Sequence, residues 1–227
     1  MNFKLSPSDL TFAYSGCKRC FYLKVVKGIP QPSIPIPSIF SKIAGLLKTH
    51  YTGKHSSELH LNLPPGTISY GEKGVRSQII ELPNHDDTCY LSGRFDIVIS
   101  FSFEDGTYGV IDFKTGSPSE SSANMYSRQL HAYAYALEHA APSALSLYPI
   151  TKMGLVYFYP SSVTQQNIEK LSYDSDVVWI EIDKKEDKFL KFIDEVLTIV
   201  ESPTVPPHSP SCQWCGYLRR MGSIYED

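Results

Sequence analysis

The sequence predicts an α/β protein in which a mixed β-sheet is flanked by helices, folded as one domain over residues 1–227. Three observations predict it. Alternating apolar residues on both sides of Asp105-Gly106 mark a strand–turn–strand unit over Gly93–Lys114. Apolar residues three and four apart mark helices over about Ala123–Ala140 and Glu186–Val200. The order of elements (helices, hairpin, crossover helix, strand pair, helix) is that of a mixed sheet. At 227 residues, 42% hydrophobic and 20% charged, the chain is long enough and apolar enough for a sizeable core.

In chain order, Leu5-Ser6-Pro7-Ser8-Asp9 reads as a helix start. Ser6 caps, Pro7 takes the first turn, Asp9 completes a capping box, and the helix ends at Gly16. Cys17–Leu23 runs into a second helix. A proline at nearly every other position makes Ile29–Pro37 an extended connector. A helix follows over Ser38–Tyr51, expected to bury Ile39, Ile43, Leu46 and Leu47. Residues 52–65 read as loop, and a strand falls within Thr67–Leu82. Beyond the hairpin come a loop over Thr115–Ser122, a helix, strands over Ile150–Tyr159 and Val177–Ile182, and a second helix. A proline-rich stretch then leads to a terminal Cys212-Gln213-Trp214-Cys215. No repeat is present.

The hairpin carries the chemistry. In its first strand, Leu91, Phe95, Ile97, Ile99, Phe101 and Phe103 share one face by period-2 alternation, and Asp96 lies on the other. In its second strand, Asp112 and Lys114 share a face. A two-residue turn would put the carboxylates on opposite sides of the sheet. A three-residue loop, Glu104-Asp105-Gly106 with Gly106 left-handed, pairs Phe103 with Thr107, Asp96 with Lys114 and Asp112 with Val98. The carboxylates are then diagonal neighbours, roughly 7–8 Å apart at the backbone, and this is the register adopted. Two carboxylates held close call for a cation between them, and hard oxygen ligands suit magnesium or manganese. A lysine beside such an ion can orient and help deprotonate an attacking water. Asp-x-Lys on its own is also a common surface salt bridge.

Cys17-x-x-Cys20 and Cys212-x-x-Cys215 form a second constellation. Together they offer four thiolates to zinc or to an iron–sulfur cluster, and sharing one centre would staple the ends of the chain. Residues of about 1–60 and 203–220 would form that subregion. Cys89 is left over as a small core residue. The net charge is -3, yet up to His60 the only acids are Asp9 and Glu58, against eight lysines and arginines. That basic third suits a bound polyanion or, equally, a solvated face. With no leader and no bilayer-length apolar run, the expectation is a cytoplasmic protein with no membrane partner. In that compartment paired cysteines bind metal rather than form disulfides.

Taken together, Gly93-x-x-Asp96, Asp112-x-Lys114 and Gln129-x-x-x-Tyr133 resemble in order the PD-(D/E)XK nucleases of the RecB type. Leu5–Leu10 and Cys17 with Phe21-Tyr22-Leu23 resemble the start of their iron–sulfur branch, which includes the CRISPR-associated adaptation exonucleases and AddB-type recombination nucleases. The resemblance implies a restriction-endonuclease-like core whose termini are joined by the cysteine site. It implies a magnesium- or manganese-dependent DNA exonuclease acting at single-stranded or frayed ends in repair, recombination or foreign-DNA processing, with a 4Fe–4S cluster (zinc as the alternative) and nuclease or helicase partner proteins. Gln129 and Tyr133 would line the active site and hold the strand or Lys114. Two departures stand out. The cysteines divide two and two, where those families commonly have one and three. The upstream ligand expected on a helix, histidine or glutamate, has only His50 to supply it on Ser38–Tyr51, with His55, Glu58 and His60 in the following loop. A nucleic-acid-binding or scaffold protein that keeps the fold with little cleavage is the second reading.

Overall fold

The structure, a computed structural model, describes residues 1–33, 35–102 and 106–225, the last three by backbone alone. Its centre is a five-stranded sheet in the order β2-β5-β6-β7-β8, formed by Gly66–Tyr70 (β2), Ile97–Phe101 (β5), Tyr108–Thr115 (β6), Ile150–Asn167 (β7) and Lys170–Glu181 (β8). β6 and β7 are parallel and every other neighbouring pair is antiparallel, so the sheet is mixed. A smaller sheet, β1-β4-β3, combines Asn2–Leu5 (β1), Lys73–Arg76 (β3) and Thr88–Phe95 (β4). The sequence reading missed β1, which pairs in parallel with β4. It also merged β2 with β3.

Helices cover both faces. A π-wound turn, Asp9–Ala13, runs into α1 (Tyr14–Gly16) and then α2 (Lys18–Lys27). The Ser6 hydroxyl accepts the Asp9 N–H at 3.1 Å and donates to the Asp9 carboxylate at 2.7 Å, so the expected cap is formed. α5 (Glu120–Glu138) is capped by Ser119, which accepts the Ser122 N–H. It packs with α6 (Glu186–Val200) over one face of the large sheet, around Leu130, Leu137, Phe189, Ile193 and Leu197. Each such side chain contributes about 1.5–3 kcal/mol on burial. α3 (Ser38–Tyr51) and α4 (Ser56–Leu59) cover the other face over Ile97, Ile99, Ile111, Val156 and Phe158. α7 (Gln213–Tyr225) closes the described chain.

α3 has the predicted bounds but not the predicted burial. Only its last turns touch the core, through Leu47 and Tyr51, while Ile39 and Leu46 are 56% and 59% exposed. β7 and β8 also run beyond the strands read from sequence, as a ribbon whose residues 160–176 are almost all exposed.

The hairpin differs in two ways from the sequence reading. Its first strand is broken at Asp96, so Leu91 and Phe95 face one core and Ile97, Ile99 and Phe101 face the other. The alternation had placed them all on one face. Both faces of the sheet are buried here, with Val98 and Val110 fully covered on the side of Asp112. The register pairs Ile97 with Ile111 and Val98 with Val110, and the Phe101 N–H reaches the Thr107 carbonyl. The predicted pairing of Val98 with Asp112 is therefore off by two positions, which conserves the face of every side chain. Gly106 is left-handed at φ 78°. Phe103, Glu104 and Asp105, and with them the proposed three-residue loop, lie outside the described residues.

Candidate active site and metal centre

The break at Asp96 frees its carboxylate to turn across the hairpin. Oδ2 accepts the backbone N–H of Phe113 at 2.8 Å, next to Asp112. Oδ1 meets the Lys48 ammonium at 2.6 Å. Lys48 is shared with Glu72, at 2.5 Å, and the other Glu72 oxygen accepts from Arg94 at 2.9 Å. Burial pulls the Lys48 pKa down, but its hydrogen bonds to Asp96 and Glu72 outweigh this and raise it. Lys48 and Arg94 hold the Glu72 carboxyl low.

Asp112 is the buried member, with 3% of its surface exposed. Burial pushes its pKa up to about 6; the attraction of Lys114 lowers it and the charge of Asp96 raises it further. Its Oδ2 is ion-paired with the Lys114 ammonium. Among the described residues the Lys114 ammonium is the one charged partner of that buried oxygen. Lys114 also donates to the Gln129 side-chain carbonyl at 3.2 Å and lies 3.7 Å from the centre of the Tyr126 ring. The Gln129 amide donates to the Tyr133 hydroxyl at 3.0 Å. Burial, and then the charge of Asp112, raise the Tyr133 pKa. Gly93 permits this packing: a Cβ there would come 2.7 Å from Pro7 Cδ and 3.3 Å from the Tyr133 ring.

Asp112, Lys114, Gln129 and Tyr133 thus form one connected chain of contacts, with Asp96 beside it. Two hard-oxygen donors side by side, one of them buried, fit a divalent magnesium or manganese ion. His50 is not brought there. It is exposed at the end of α3, within hydrogen-bond distance of Lys54 at 2.9 Å. His55 caps α4, and Glu58 pairs with Lys54. The residues that α3 and the β2–β3 turn do deliver are Lys48 and Glu72. Their only sequence signal is a charge on a helix and a charge in a turn.

The four paired cysteines meet. Their sulfurs lie within 4.8 Å of one another, and they are the one group of three or more candidate metal ligands so close among the described residues. Cys17 is the N-cap of α2 and Cys20 lies in its first turn; Cys212 immediately precedes α7 and Cys215 lies in its first turn. Burial would push the Cys17 thiol up, but N–H donation from Ser209 and Cys20 brings it to about 7. All five cysteines are free thiols, and Cys89 is buried away from the cluster.

A family model described as "PD-(D/E)XK nuclease superfamily" matches residues 40–220. The chain belongs to the PD-(D/E)XK nuclease superfamily. Members of this superfamily are generally metal-dependent phosphodiesterases acting on nucleic acid. The sheet flanked by helices, with the N- and C-terminal cysteine pairs joined, is this superfamily's fold with a four-cysteine site added. A solved structure titled "Crystal structure of SSO0001" is similar over 88% of this chain and 78% of that one, at 16% identity and a TM-score of 0.43. No curated protein sequence matches. No helix among the described residues is long and apolar enough to cross a membrane.

Proposed function

We propose that this superfamily member is a magnesium- or manganese-dependent deoxyribonuclease, an exonuclease acting at single-stranded or frayed ends. The observation that supports the reading is the buried Asp112 carboxylate, held between the Lys114 ammonium and the charge of Asp96. Burying a carboxylate next to a second one is costly, and such perturbed pairs cluster at functional sites. Asp96 and Asp112 would hold the ion, and an ion bound there would supply polarisation of the phosphate and offset charge on the leaving oxygen. Lys114, as an ammonium, would orient the attacking water and offset the charge that develops on the phosphate. Gln129 fixes the Lys114 ammonium and is itself fixed by Tyr133, so these two position rather than react. The preference for DNA ends rests on the resemblance to the exonuclease branch and on the basic N-terminal third, which suits phosphate contacts. A place in repair, recombination or foreign-DNA processing, beside a nuclease or helicase partner, follows from the same resemblance.

A scaffold that binds nucleic acid without cutting is favoured by one observation. Where an upstream acidic or histidine ligand was expected, α3 presents Lys48, a cation, to Asp96. End-labelled single- and double-stranded DNA, incubated with and without manganese, separates the two. Metal-dependent shortening from one end, lost in Asp112→Ala, supports the exonuclease; binding without cleavage in either metal supports the scaffold.

A further inference from the structure

The four sulfurs are spaced for one ion, not for a cube of irons. Cys17 to Cys215 is 3.9 Å, Cys20 to Cys212 is 3.7 Å and Cys20 to Cys215 is 3.5 Å, and all four sulfurs lie within 4.8 Å of one another. Four sulfurs around one tetrahedral zinc, each at about 2.3 Å, stand about 3.8 Å apart. In a 4Fe–4S cluster each thiolate binds a different iron at a corner of the cube, which sets the sulfurs roughly 6 Å apart. The distances match the first arrangement, and all four sulfurs would have to spread for the second.

We propose that Cys17, Cys20, Cys212 and Cys215 bind a single zinc ion. Each pair spans a helix N-terminus, so the two i, i+3 sulfurs of each point past the same helix end, and α2 and α7 meet end to end at the ion. Four thiolates on one divalent cation leave a net charge of about -2. Two helix N-termini offset it, as do the Ser209 N–H, 3.4 Å from the Cys17 sulfur, and the Gln31 amide, 4.0 Å from the Cys212 sulfur. Arg19 and Arg219 line the groove beside Cys20 and Cys215. The two-and-two division of the cysteines points the same way, since C-x-x-C pairs at two helix or turn ends are how closed structural zinc sites are built. No nuclease activity is needed for this site to form, so the proposal stands apart from the functional reading above.

The test uses the full chain, produced in medium containing both iron and zinc and purified without air or chelators. Metal and acid-labile sulfide are measured per chain. The expected result is one zinc, iron and sulfide below a tenth of that, and a colourless protein. X-ray absorption at the zinc edge should show a shell of four sulfurs at about 2.3 Å. Four irons with four sulfides and a brown colour would overturn the proposal. So would a single iron, a metal-free protein, or zinc with a nitrogen or oxygen shell. Cys20→Ser should lose the zinc and Cys89→Ser should keep it. If Cys20→Ser does not fold, the wild-type chain loaded with cobalt should show thiolate-to-cobalt charge transfer, and its absence would equally count against the site.

Discussion

The carboxylate site and the cysteine centre are both clusters of potential anions, and the protein prepares them in opposite ways. The four sulfurs sit together, with the Ser209 N–H and the Gln31 amide as hydrogen-bond donors and Arg19 and Arg219 in the groove beside them. A thiol gives up its proton as metal binds, so gathering four sulfurs costs less electrostatically than gathering carboxylates. Asp96 and Asp112 are prepared differently. Each is matched by a lysine, Lys48 for the first and Lys114 for the second. The difference teaches that a soft site can be preformed by packing alone. A hard-oxygen site is neutralised from within, and metal loading there would exchange an ammonium for the ion.

The largest effect that would test this contrast is on cleavage. Asp112→Ala or Lys114→Ala should lower the metal-dependent rate by about 10³-fold or more, the scale of lost ion and proton-transfer chemistry. DNA affinity measured by anisotropy should stay within a few-fold, because phosphate contacts elsewhere dominate it. Equal rates in both variants and wild type would remove the carboxylate site from the reaction.

Next in size is the cost of breaking the cysteine centre. Because metal binding there is partly folding free energy, a single Cys212→Ser change should lower stability by about 3 kcal/mol or more. That corresponds to a melting temperature lower by about 6–12 °C at this chain length. A melting curve unchanged by chelation or by Cys212→Ser would show that the staple holds nothing.

The pH dependence of the metal-free protein separates the sites again. Asp112 has a folded pKa of about 6, above its unfolded value of 3.8. A raised pKa means that the folded state binds the proton more tightly. This stabilisation is fully present below about pH 3.8 and is lost as pH rises through 6. Two units correspond to at most about 3 kcal/mol. Asp112→Asn should therefore stabilise metal-free protein at pH 7.5 and not at pH 4 in thermal melts, while abolishing cleavage. A variant destabilised at both pH values would contradict the burial argument.

The smallest effect concerns Lys48. If it is the internal competitor of the ion, Lys48→Gln should tighten manganese binding by calorimetry about tenfold, while Lys48→Arg leaves it unchanged. Glu72→Gln should weaken binding in the wild-type chain, where Glu72 receives the displaced ammonium, and have no effect in the Lys48→Gln background. Weakening in both backgrounds would instead make Glu72 a ligand.

The sequence by itself determined the local chemistry. Capping by Ser6, the bounds of α3 and α6, the shared face of Asp112 and Lys114, and the pairing of each C-x-x-C all depend on residues within a few positions of one another. Helix and strand periods carry that information directly. Parity also survived an error of two positions in the hairpin register, since a shift by two returns each side chain to its face. Tertiary structure alone decided the rest. The break at Asp96 exists because the strand leaves one sheet for another, so its apolar residues serve two cores. Lys48 meets Glu72 across 24 residues and Asp96 across 48, where no period links them. The exposure of Ile39 and Leu46 depends on how much of α3 the sheet is wide enough to cover. The spacing of the four sulfurs is set by how the two helix ends dock, and C-x-x-C is compatible with either metal centre until that docking fixes the distances.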